Sequence, residues 1–116
     1  MATPSEHEQV RQLALDYYEA WYDGDAERME RSLHPNLVKR QAGEELGATT
    51  KERMVELTRN HEGTEDAADR RLDVVVDDVH DDIASVTVRA ASYYEYLHLV
   101  RTTDGWKIAN ALFQTR

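Results

Sequence analysis

Apolar positions follow a helical period in the first half of the chain and a strand period in the second. Val10, Leu13, Ala14, Tyr17, Tyr18 and Trp21 fall at i, i+3, i+4, i+7, i+8 and i+11, one apolar stripe on a helix. The spacing predicts that helix over Ser5–Asp23, with Ser5 and Glu8 as a capping box and Gly24 as its stop. Asp25 then caps a short second helix, to Leu33, that buries Ala26, Met29 and Leu33. His34-Pro35 ends it, because the residue before a proline disfavours helical dihedrals. Asn36–Gln41 reads as a short strand, Gly43 and Gly47 mark a loop, and Thr49 with Glu52 caps a third helix reaching Asn60. The polar run 61–69 reads as a mobile loop. Four strands follow, near 71–79, 82–91, 93–102 and 106–114. Helices first and a strand meander last indicate an α+β domain over residues 6–114.

The strand 93–102 is apolar on both faces: Tyr94, Tyr96, His98 and Val100 alternate with Leu97 and Leu99. Helices can cover only one face, so the other is expected to meet a second copy of the chain. Asp104-Gly105 is a hairpin signal. A two-residue turn there sets Leu97 and Leu99 on one face with Ile108, Asn110 and Leu112. Tyr94, Tyr96 and His98 then share the other with Ala109, Ala111 and Phe113. A bulge at Gly105 shifts the register by one and swaps these partners.

Composition narrows the classes. The chain has 116 residues, no cysteine, 41% hydrophobic content and a formal net charge of -9. One core and one domain fit that length. Disulfides, thiolate nucleophiles and Cys-bound metals are excluded. The excess acid argues against binding nucleic acid or an anionic membrane through a basic face. No apolar run approaches the roughly 18 residues of a membrane span, and no leader pattern is visible, so a cytoplasmic location is expected. The histidines His7, His34, His61, His80 and His98 lack paired ligand spacing, and no phosphate-binding loop is present. Neither a metal nor a cofactor is expected.

Four segments in order carry a resemblance. They are Tyr17-Tyr18-Glu19-Ala20-Trp21-Tyr22-Asp23-Gly24-Asp25, Leu33-His34-Pro35, Tyr96-Leu97-His98-Leu99-Val100 and Asp104-Gly105-Trp106-Lys107-Ile108-Ala109-Asn110. With the element order, they make residues 6–114 similar to the nuclear transport factor 2-like superfamily. The branch they look most like is called "putative lumazine-binding", near the polyketide-cyclase-like members. The resemblance implies a curved antiparallel sheet wrapped around three N-terminal helices, a pocket at the open end of this cone, and a homodimer through the sheet. Some members of the superfamily isomerise steroids or cyclise polyketides with one acid–base residue. The isomerase-like ones place an aspartate near the first long strand, where this chain reads Asn36-Leu37-Val38-Lys39-Arg40.

The leading expectation is therefore a binder of a small apolar or aromatic molecule in an aromatic-lined pocket. The enzyme reading is an isomerase or cyclase-like lyase with a His/Tyr pair. The third is a non-catalytic dimerisation domain. His98 and His34 are the candidate acid–base residues, because imidazole titrates near neutrality. Tyr17, Tyr18, Trp21, Tyr94, Tyr96 and Asn110 are the candidate ligand contacts. The plainer roles are a buried seam histidine for His98, a helix-end cap for His34, and core packing for the helical aromatics.

Overall fold

Ser5 opens helix α1 (Glu6–Asp23): its Oγ accepts the Glu8 backbone N–H at 3.2 Å, and Gly24, at φ 69°, closes it in the left-handed conformation. The computed structural model describes residues 5–116. Residues 1–4, on which the reading of the N-terminus partly rests, lie outside the described residues. Asp25 caps α2 (Ala26–Ser32) by accepting the Arg28 N–H at 3.1 Å. Strand β1 (Leu33–Gln41) begins earlier than its polar pattern predicts and runs through Pro35. It can do so because its register against β6 shifts between Leu33 and Val38, where the missing proline N–H costs no ladder bond. Two residues, Ala48–Thr49, form β2, too short a strand to leave a periodic signal. Thr50, not Thr49, caps α3 (Lys51–Arg59), its Oγ1 accepting the Arg53 N–H at 3.2 Å.

The remaining strands are β3 (Leu72–His80), β4 (Ile83–Ala90), β5 (Tyr93–Thr102) and β6 (Gly105–Thr115). The six strands form one curved, unclosed sheet in the order β2-β1-β6-β5-β4-β3. All pairs are antiparallel except β1 with β6. The helices lie on the concave side. Val10 and Ala14 of α1, Met29 of α2, and Leu33, Leu97, Leu99 and Ile108 of the sheet are each at most 2% exposed there.

The β5–β6 hairpin decides which face is which. Thr102 pairs with Gly105, so the turn is Thr103-Asp104, and Gly105 takes φ 100°. Ala109 then bulges: Leu99 pairs with Ile108, but His98 pairs with Asn110. As a result Glu95, Leu97, Ala111 and Phe113 share the concave face with Leu99 and Ile108. Tyr96, His98, Asn110 and Leu112 share the convex face. The expected pairing of Leu97 and Leu99 with Ile108 stands. The two-residue Asp-Gly register fails, and Asn110, Leu112, Ala111 and Phe113 change faces relative to it.

The 61–69 segment is also tied down rather than free. It folds into turns and a single 3₁₀ turn at Asp66–Ala68. Asp66 Oδ2 accepts from Trp21 Nε1 at 3.1 Å and from the Tyr93 hydroxyl at 2.5 Å. Gly63 lies so close to α1 that a Cβ there would stand 2.3 Å from the Trp21 carbonyl oxygen. Its polar composition hid these anchors, which are long-range. No helix among the described residues is long and apolar enough to cross a membrane.

Trp106 is buried at 5% exposure on the face of β6 that also carries Ile108. Trp106→Ala should lower unfolding stability by about 3–5 kcal/mol, the range for large aromatic truncations. Urea denaturation measures it, and a loss below about 1 kcal/mol would place the ring outside the core.

Candidate functional site

The concave side is not filled along its whole length. At the end away from Trp106, a cavity of about 320 Å³ opens between the helices and the sheet. Helix α1 supplies Tyr17, Tyr18 and Trp21 to its wall, and α3 supplies Met54 and Leu57. The strands supply Lys39, Gln41, Thr49, Tyr93, Glu95, Phe113 and Thr115. Strand alternation explains the set: Lys39 has the parity of buried Leu37 on β1, and Glu95 that of Leu97 on β5.

Glu95 is the chemical centre. Its side chain is 1% exposed, and burying a carboxylate without partners is expensive. Its partners come from two segments distant in the chain, α1 and β1. The Tyr18 hydroxyl donates to Oε1 at 2.7 Å, and the Tyr17 hydroxyl to Oε2 at 3.3 Å. Lys39 Nζ stands 3.3 Å from Oε2 with its side chain 12% exposed, and it also donates to the Tyr17 hydroxyl oxygen. The ammonium sits over two ring faces, 4.5 Å from the Phe113 centroid and 5.1 Å from that of Tyr17. Tyr17 and Tyr18 meet edge to face at 5.2 Å. A cation, a carboxylate and two phenols thus form one network at the cavity wall.

Burial holds the phenols in their neutral form. Tyr17 and Tyr18 are pushed well above the usual tyrosine value, first by desolvation and then by the nearby Glu95 charge. Tyr93 is pushed up by burial and by its hydrogen bond to Asp66. Tyr22 is raised to about 12 by burial and then by the charges of Asp66 and Glu19.

Of the expected contacts, Tyr17, Tyr18 and Trp21 do come together in this cavity. Tyr94, Tyr96, His98 and Asn110 do not: they sit on the convex face, with Tyr96 52% exposed. His98 and Asn110 instead border a depression of about 390 Å³ on that outer surface, with Asp78, His80 and Ser85. His34 is outside the cavity as well. Its Nδ1 accepts the Asn36 backbone N–H at 3.0 Å, a local bond across Pro35 within β1 rather than a cap on α2. The geometry therefore separates both histidines from the pocket tyrosines, so no His/Tyr pair exists in the cavity. Glu95 and Lys39 were missed by sequence reasoning. The available signal was parity: Lys39 follows Leu37 on one face of β1, and Glu95 precedes Leu97 and Leu99 on one face of β5. Among the described residues no group of three His, Asp or Glu side chains could hold a metal ion.

Comparison with known proteins agrees with this architecture. The family model described as "Putative lumazine-binding" matches residues 5–114. A protein of unknown function from Silicibacter pomeroyi, described as nuclear transport factor 2-like, superposes with a TM-score of 0.76 at 20% identity, covering 99% of this chain and 100% of that one. A ketosteroid isomerase-like protein from Erwinia carotovora gives 0.68 at 17% identity, covering 97% and 98%. A nuclear transport factor 2-like protein of unknown function in nutrient uptake, from Rhodospirillum rubrum, gives 0.69 at 19% identity, covering 92% and 98%. No curated protein matches the chain. With three helices inside a curved six-stranded sheet and a family match over almost its whole length, the chain belongs to the family described as putative lumazine-binding, on the nuclear transport factor 2-like fold.

Proposed function

We propose that this protein binds a small, flat, largely aromatic molecule carrying a hydrogen-bond acceptor, inside the concave cavity. The observation that carries the reading is Lys39, a single cation anchored by buried Glu95 and Tyr17 in a cavity walled by Trp21, Tyr93 and Phe113. An ammonium has three donors; one bonds the Tyr17 oxygen, and the side facing Glu95 Oε2, 3.3 Å away, is taken up by the ion pair. One remains for a ligand oxygen, while the rings give a flat body stacking surface. A volume of about 320 Å³ is at the small end of ligand sites, which suits a compact ring system. Lumazine, named in the family description, has this chemistry and is the first probe to try.

The convex face supports a second statement, that the protein is a homodimer through its sheet. Val38, Tyr96 and Leu112, on three neighbouring strands, are 40%, 52% and 43% exposed. His98, Asn110, Ser85 and Thr87 adjoin them; Arg40 pairs with Leu112 on the β1 side, Asp77 accepts the Thr87 hydroxyl on the β3 side, and Arg89 and Asp73 lie further along β4 and β3. A largely uncharged centre with a charged rim is the general anatomy of an interface. The sheet centre can meet its own copy about a two-fold axis.

Three outcomes are expected. Lumazine should quench tryptophan fluorescence in titration, and Thr49→Phe, which puts a ring into the cavity from edge strand β2, should weaken binding at least about tenfold. No quenching by lumazine or by other flat carbonyl-bearing heterocycles would refute the pocket reading. Light scattering should give twice the 13.4 kDa chain mass, with Leu112→Asp shifting it to one. A monomeric parent at micromolar concentration would remove the dimer.

The third concerns pH. The raised tyrosines keep their protons in the fold, whereas in the unfolded chain phenols ionise near about pH 10. Their contribution to stability is thus complete below about pH 10 and is lost as pH rises above it. Absorbance at 295 nm should show Tyr17, Tyr18, Tyr22 and Tyr93 ionising together with the loss of native circular dichroism. Ionisation of all six tyrosines with native dichroism intact would contradict this.

A further inference from the structure

Lys39 is a cavity-lining amine with a carboxylate placed to exchange its proton. Its nitrogen stands 3.3 Å from the Glu95 carboxylate, and its side chain, 12% exposed, lines the cavity. A ligand carboxylate would compete with Glu95 for the same nitrogen, whereas a neutral carbonyl brings no charge into the cavity. The Tyr17 and Tyr18 hydroxyls hold the carboxylate in place, so Glu95 can take and return a proton without moving.

Resting on the pocket reading above, we propose that the ligand is an aldehyde or ketone on a flat apolar body and that Lys39 captures it as an imine. Glu95 Oε2 takes a proton from the Lys39 ammonium, freeing the nitrogen lone pair. The lone pair forms the C–N bond to the carbonyl carbon while the C=O π pair moves to oxygen. That oxygen gains one proton from the nitrogen and a second from Glu95. It leaves as water while the nitrogen pair forms C=N. The product is a protonated imine plus water, which balances the aldehyde and ammonium that entered, with no redox change. The ring faces of Phe113 and Tyr17, 4.5 and 5.1 Å from the nitrogen, lie where the iminium charge appears.

The chain allows a direct internal control. It has three lysines, Lys39, Lys51 and Lys107, and only Lys39 lines the cavity. Lys107 Nζ instead donates to the Arg31 carbonyl at 2.5 Å. The full chain is incubated with 2-naphthaldehyde and cyanoborohydride at neutral pH, and trapped adducts are mapped by peptide mass spectrometry. 2-Naphthamide, which has the same ring but forms no imine, is titrated in parallel by tryptophan fluorescence. Lys39 should be labelled at least about tenfold faster than Lys51 or Lys107. Glu95→Gln should slow Lys39 labelling at least about tenfold, toward the lower range for loss of a general acid–base group. Equal labelling of the three lysines in the parent protein overturns the proposal, whatever the variant does. If naphthamide still binds in that case, the pocket reading survives alone; if it does not, both fall. Selective labelling of Lys39 that is undiminished in Glu95→Gln would overturn the role given to Glu95.

Discussion

A carboxylate on the concave face of a sheet must be matched, and the open end of this protein is arranged around that requirement. Glu95 lies mid-sheet at 1% exposure, on the strand face it shares with Leu97 and Leu99. Its partners come from α1, through Tyr17 and Tyr18, and from β1, through Lys39. Hydrogen bonds to a charged group contribute about 1.5–3 kcal/mol each, whereas losing one partner of a buried pair costs about 3–5 kcal/mol. The network therefore ties the first helix to strands on either side of β6. It also explains why this end is not filled with aliphatic side chains: the polar tips need room and leave a cavity.

The contrast along α1 follows from the same helix. Its N-terminal half contributes Val10 and Ala14 to the buried cluster that also holds Leu33, Leu99 and Ile108. Its C-terminal half presents Tyr17, Tyr18 and Trp21, whose polar atoms reach Glu95 and Asp66. One continuous apolar stripe thus becomes core at one end and site wall at the other. Asp66 plays a lesser version of the Glu95 role, since its one oxygen gathers Trp21 and Tyr93 and pins the segment after α3 beside the cavity.

The convex side obeys a different constraint. Tyr96 and Leu112 are large, apolar and exposed, although they belong to central strands. Their placement, and that of His98 opposite Asn110, is set by the bulge at Ala109 together with the tight turn at Thr103-Asp104. Such a bulge adds one residue to one strand and reverses the facing of everything beyond it. Residues that look like a pocket lining in the sequence are thereby moved to the outer surface.

The sequence by itself determined the three helices, five of the six strands and their order. The stripe from Val10 to Trp21, the capping residues Ser5 and Asp25, Gly24, and the alternation from Leu72 onward are local signals, and local physics suffices to read them. It also determined that Tyr17, Tyr18 and Trp21 share a face, because helical spacing admits no other outcome. Tertiary structure decided which face of β5 meets the helices. Tyr94, Tyr96 and His98 form as apolar a row as Leu97 and Leu99, and a one-residue shift in pairing exchanges them. It likewise decided the importance of Glu95 and Lys39. A glutamate between two tyrosines and a lysine beside an arginine look like solvent-facing charges until a distant strand and helix supply their partners. Their contacts span 56 residues of chain between Lys39 and Glu95 and 77 between Tyr18 and Glu95. No short-range pattern encodes pairings at that separation, because they exist only once the sheet has curved around α1.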